Sequence, residues 1–89
     1  MSAHQRRLTW SENALAELAD LVEFMPAEAW RAVDAMERMA EAGFNYGRAT
    51  SEPGVWYLPV GHLGVFYTDG AGTLTGDRVV DARLLRELP

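Results

Sequence analysis

Between Pro53 and Tyr67 the chain reads PGVWYLPVGHLGVFY, two apolar runs flanking Gly61-His62. A connection of this kind predicts a tight β-hairpin. With Gly61 and His62 as the turn, Val60 faces Leu63, Leu58 faces Val65 and Trp56 faces Tyr67. One face of the ribbon then carries Trp56, Leu58, Val60, Leu63, Val65 and Tyr67, a surface without charge. The other carries Val55, Tyr57, Pro59, Gly64, Phe66 and Thr68, with Tyr57 opposite Phe66. So apolar a hairpin is not stable alone in water and needs a covering layer.

The preceding chain supplies one. Thr9-Trp10-Ser11-Glu12 reads as a capping box, with a Thr hydroxyl for an orphan amide and a Glu three positions on. Ala14, Leu15, Leu18, Leu21, Val22 and Met25 then follow helical spacing, and Glu12, Glu17, Asp20 and Glu23 form a solvated face. Pro26 ends this helix and suits the first turn of the next. Trp30, Val33, Met36 and Ala40 make the second stripe, and Gly43 is a C-terminal stop. The short link makes an antiparallel helical hairpin. Its predicted contacts run through Leu15, Leu18, Val22, Trp30, Val33 and Met36 onto the apolar face of the β-hairpin. Met25, Met36 and Met39 read as core filler, and Trp10 and Trp30 as helix-packing residues.

Arg6 to Leu8 is a short extended segment. Phe44 to Gly54 is a surface loop with Phe44 and Tyr46 tucked beneath it. Asp69-Gly70-Ala71-Gly72 is a further turn, and Thr73 to Asp81 a strand whose broken alternation predicts either an edge position or a bulge near Gly76. Leu84, Leu85 and Leu88 close the chain. The predicted order is β-α-α-β-β-β in a single α+β domain over residues 1–89. A helical hairpin covers one face of a small antiparallel sheet and the other face stays open.

Composition narrows the chemistry. The 89 residues contain no cysteine and two histidines, so no disulfide framework, thiolate metal site or zinc cluster is expected, and nothing calls for a cofactor. No run approaches membrane-spanning length and no signal peptide opens the sequence, so a cytoplasmic protein without a membrane partner is expected. The net charge is −5 and every cation is arginine. An acidic chain binds nucleic acid poorly without a local basic patch. Arg78, Arg83 and Arg86 near the C-terminus, and Arg6 and Arg7 near the N-terminus, read first as solvated surface charge.

The element order and three sequence stretches resemble the ParE/RelE superfamily of toxins from type II toxin–antitoxin systems. LTWSENALAELADLVEF is similar to the opening strand and helix of that family. PGVWYLPVGHLGVFY is similar to its P-G-x-R-x-x-P-V-G-x-x-x-I-F-Y stretch in ParE-like members, and Arg78-Val79-Val80-Asp81-Ala82-Arg83 to its closing r-V-x-H-x-R run. The resemblance implies a toxin-like component with a cognate antitoxin as partner and, in the ParE-like branch, DNA gyrase as target. Family members that cut mRNA on the ribosome use an arginine and lysine cluster on the open sheet face. Here Trp56 or Tyr57, Pro59 and Gly64 stand at those strand positions, and Asp81 stands at the closing histidine.

The catalytic candidates are therefore only His62 and Arg83. His62 reads first as an exposed turn residue, and Arg83 equally as a partner contact or as an ion pair with Asp81 or Glu87. Cleavage would need a base for the 2′-hydroxyl, a donor to the leaving oxygen and cations for the developing charge. Tyr57, Phe66, Arg78 and Arg83 are the candidate partner-binding residues, since an aromatic pair with one cation and no lysine suits a protein more than RNA. The expected function is toxin-like, by protein binding rather than bond cleavage. A ribosome-dependent endoribonuclease with an altered site and a non-toxic interaction domain are the alternatives. Homodimerisation is left open.

Overall fold

The computed structural model describes residues 5–85. The elements are β1 (Arg7–Trp10), α1 (Glu12–Phe24), α2 (Pro26–Ala42), β2 (Arg48–Ala49), β3 (Val55–Val60), β4 (Leu63–Gly70), β5 (Thr73–Asp81) and α3 (Ala82–Leu85). The strands form one five-stranded sheet in the order β1-β5-β4-β3-β2. The α+β architecture is the expected one, with helices packed on a sheet. Three features are additional: the two-residue strand β2 inside the expected loop, the short closing helix α3, and a parallel pairing of β1 with β5 that makes the sheet mixed rather than wholly antiparallel.

The β3–β4 hairpin has the predicted register, from Val55 opposite Thr68 to Val60 opposite Leu63. Gly61 takes a φ of 60°, as the first central residue of a II′-type turn requires. Leu63, Val65 and Tyr67 of the central strand are completely buried. Trp56, Leu58 and Val60 pack beside them from the outer strand.

The expected irregularity near Gly76 is a bulge. Tyr67 pairs with Gly76 but Phe66 pairs with Arg78, so Asp77 is the extra residue. The bulge changes the phase of β5. Leu74 and Val79 are an odd number of residues apart, yet both are buried in the same core. Gly76 lies beneath the Trp10 ring, where a Cβ would overlap the indole. Ser11 ties this region to the helices. Its Oγ accepts the Ala14 N–H at 3.1 Å and donates to the Asp77 carbonyl at 2.9 Å. Ser11, not Thr9, is thus the N-cap of α1; Thr9 lies in β1, with its hydroxyl 3.1 Å from that of Thr75.

The helices bury Ala14, Leu18, Ala29, Ala32, Met36, Met39 and Ala40. The expected stripe is therefore rotated. Leu15 and Trp30 are 52% and 61% exposed, and alanines take the inward positions on α2. Small side chains there let the α2 backbone approach its neighbours closely, which a Trp30-centred face would prevent. Phe44 and Tyr46 are also exposed instead of tucked under their loop. Asn45 is the anchor: its Oδ1 accepts from the Tyr67 hydroxyl and from the Gly47 N–H. A Cβ at Gly47 would collide with the Tyr67 ring end. Burial raises the Tyr67 pKa above the ordinary phenolic value.

Arg6 is not solvated surface charge. Its guanidinium pairs with Asp69 and donates to the carbonyls of Met39 and Phe44, with only 9% of the side chain exposed. It thereby neutralises the carbonyl-rich end of α2.

Candidate functional site

The face of the sheet away from the helices carries one continuous row. Arg48 pairs with Tyr57, Tyr57 with Phe66, and Phe66 with Arg78, so four side chains cross β2, β3, β4 and β5 at one level. The rings of Tyr57 and Phe66 sit 4.9 Å apart at an interplanar angle of 53°, a tilted aromatic contact. Gly64 makes room for this pair, since a Cβ there would overlap the Tyr57 ring. Both rings are half-buried. They divide the face into two depressions. One, of about 510 Å³, is bordered by Arg48, Thr50, Tyr57, Pro59, Phe66 and Ala82. The other, of about 400 Å³, is bordered by Glu52, Val55, Phe66, Asp77 and Arg78.

The charges on this face differ in availability. Glu17 on α1 holds Arg78. One carboxylate oxygen accepts the Arg78 Nε–H at 2.9 Å and the other the Val79 N–H at 2.9 Å. That second bond satisfies part of the β5 edge, because β1 pairs only as far as Gly76. Glu17 therefore bridges helix to sheet instead of simply forming the wet face of α1. Arg48 is exposed and has no carboxylate partner among the described residues. The sequence reading missed Arg48 because the two-residue strand that positions it is set by pairing with a distant hairpin. The local Gly47-Arg48-Ala49 context carries no strand signal.

Tyr57, Phe66 and Arg78 are thus brought together, and Arg83 is not part of their row. Arg83 lies in the first turn of α3 and makes a two-pronged contact with Asp81, Nε at 3.0 Å and Nη2 at 2.7 Å. Its Nη2 also lies 3.9 Å from the Met25 sulfur at the junction of the helices. The guanidinium holds the Asp81 carboxyl down to a pKa of about 2. Arg86 lies outside the described residues.

His62 also turns toward the helices. Glu28 on α2 accepts the His62 backbone N–H at 2.9 Å and lies 3.1 Å from its Nδ1. The backbone N–H is the main reason the Glu28 carboxyl sits below its ordinary pKa, with the imidazole adding to it. The pair clamps the β3–β4 turn onto the start of α2. Among the described residues no group of His, Cys, Asp and Glu could hold a metal, and no helix is long and apolar enough to cross a membrane.

No protein-family model matches the chain, and no curated protein matches it in sequence. Solved structures do match in shape. A chain from the chromosomal ParDE toxin–antitoxin system of P. aeruginosa superposes with a TM-score of 0.68 at 20% identity, covering 89% of this chain and 98% of that one. A chain of the RelBE2 toxin–antitoxin complex of Mycobacterium tuberculosis gives 0.70 at 16% identity, covering 91% and 93%. At these identities the likeness is one of architecture: the chain has the ParE/RelE fold, with its helices on one face of a mixed five-stranded sheet.

Proposed function

We propose that this chain is the toxin component of a type II toxin–antitoxin module and that it acts by binding a protein rather than by cutting RNA. The observation that carries this reading is the make-up of the open face. An aromatic pair stands at its centre, and at its flank stands Arg48, exposed and without a carboxylate partner among the described residues. Interface centres favour that composition, with aromatics and arginine enriched and lysine depleted. RNA cleavage asks for the opposite, a concentration of free cations where phosphate charge develops. Arg78 is neutralised by Glu17 and Arg83 by Asp81. The partner is a cognate antitoxin that covers the open face. The target follows from the ParE-like resemblance and is DNA gyrase.

The test is expression without an antitoxin, followed by two assays on purified protein. Growth should slow, gyrase supercoiling should be inhibited, and ribosome-bound mRNA should stay intact. The competing reading, ribosome-dependent mRNA cleavage, rests on Glu28 standing at His62 Nδ1, the position from which a carboxylate orients a general base. Cleavage that His62→Ala reduces by about a hundredfold would establish that chemistry and end the binding-only reading.

A further inference from the structure

The two depressions beside the Tyr57–Phe66 pair carry opposite free charge. On the β2 side stands Arg48, without a carboxylate partner among the described residues. On the bulge side stand Glu52 and Asp77, whose carboxylates make no ion pair or side-chain hydrogen bond among the described residues, with the edge of Phe66 as their wall. Asp77 borders this depression at the bulge, and Arg78, which borders it too, is engaged by Glu17. Among the described residues none of these groups has an internal counter-charge, and the half-buried aromatic pair lies between them.

We propose that this face is a polarised docking groove for one extended peptide segment of the antitoxin. That segment places an acidic side chain against Arg48, an apolar side chain on Tyr57 and Phe66, and a lysine or arginine in the Glu52–Asp77–Phe66 depression. The proposal rests on the toxin reading for the identity of the partner but not for the chemistry of the groove.

The spacing follows from sheet geometry. Arg48 on β2 and Asp77 on β5 are three strand intervals apart, about 14 Å. An extended chain advancing about 3.4 Å per residue covers that in four residues, and its side chains at i, i+2 and i+4 share one face. The recognised pattern is therefore acidic, any, apolar, any, basic, or the same pattern read in the opposite chain direction. The cation gains both carboxylate pairing and contact with the Phe66 ring. The carboxylate gains an arginine fork that no carboxylate among the described residues engages. Desolvation and the neighbouring Glu52 charge raise the Asp77 pKa.

A random decapeptide library displayed on phage and panned on the intact 89-residue protein tests this. The expected outcome is enrichment of an acidic and a basic residue four positions apart with an apolar residue midway. On Arg48→Glu the acidic residue should be lost from the enriched set while the basic residue stays. On Glu52→Gln and on Asp77→Asn the basic residue should be depleted at least about threefold, with circular dichroism as the folding control. Glu52→Gln lies in an exposed loop and serves if Asp77→Asn disturbs the bulge. Four outcomes overturn the proposal: no enrichment, enrichment without the charge pair, a helical spacing of about nine residues between the charges, or a pattern that these variants leave unchanged. A growth assay separates the two readings. A harmless protein that still selects the charge pair removes the toxin reading and leaves the groove. A toxic one that selects none does the reverse.

Discussion

The two faces of the sheet are built from the same strands and do opposite work. Toward the helices, Leu63, Val65 and Tyr67 are sealed under α1 and α2. Away from them, the alternate residues of the same strand, Gly64 and Phe66, lie against the Tyr57 ring. The covered face gains stability from removing apolar area from water. The open face keeps its rings half-buried, which leaves area to lose on binding. A domain this small has one core to spare, so packing and recognition are divided between the two sides of one sheet.

The largest effect should come from the covered face. Tyr67→Ala removes a fully buried ring and the Asn45 anchor, and should cost about 3–5 kcal/mol in urea unfolding. A loss below about 1 kcal/mol would break the comparison, because the covered face would then behave as surface. The Tyr57→Ala, Phe66→Ala double substitution should leave the circular dichroism unchanged. It should cost about 0.5–1.5 kcal/mol of stability through the lost ring contact, and about 2 kcal/mol or more of antitoxin affinity by calorimetric titration. Unfolding of this variant would mean that the sheet is closed on both sides.

Ser11→Ala should cost about 1 kcal/mol, from the lost cap of α1 and the lost tie to the bulge. Thr9→Ala, at the other candidate cap, should cost less. The reverse ranking would place the helix start two residues earlier.

The smallest effect is on pH dependence, and it separates the faces by sign. Asp81 and Glu28, on the helix side, have depressed pKa values. Their contributions are present above the unfolded carboxylate value of about 4 and fade as pH falls, for Asp81 through about 2. Asp77, on the open side, is raised. A group of that kind favours the unfolded chain at neutral pH and relieves the native state as it takes up a proton. Asp77→Asn should therefore be neutral or slightly stabilising at pH 7, by about 0.5 kcal/mol or less. Arg83→Ala should remove part of the acid sensitivity in thermal melts recorded from pH 5 downward. An Asp77→Asn variant clearly less stable at pH 7 would reverse the sign assigned to the open side.

What was legible in the sequence was local and periodic. The period-2 alternation around Gly61-His62 carried the whole β3–β4 register, and the break at Gly76-Asp77-Arg78 carried the bulge. Less legible were choices between near-equivalent neighbours. Thr9 and Ser11 both offer a capping hydroxyl, and β1 pairing with β5 decides between them by drawing Thr9 into the sheet. Trp30 outweighs Ala29 and Ala32 in any hydrophobic count, yet close helix packing selects the small residues. Long-range partners were invisible. Glu28 meets His62, Glu17 meets Arg78, and Arg6 meets Asp69 only because the fold closes. Of the candidate site, the Tyr57–Phe66 pair came from the register, whereas Arg48 depended on a strand too short to announce itself.

The bulge at Asp77 lets this stretch of β5 absorb one surplus residue without changing which side chains face the core. Leu74 and Val79 both face the core only because the strand takes up Asp77 outside the pairing. Deleting Asp77 would leave Arg78 opposite Phe66 and Val79 opposite Val65 on a regular ladder, at the loss of the carbonyl that accepts from Ser11 and of the carboxyl beside Glu52. The surplus residue can thus be lost in register, whereas straightening the strand with Asp77 kept in the ladder would turn Arg78 inward and Val79 outward.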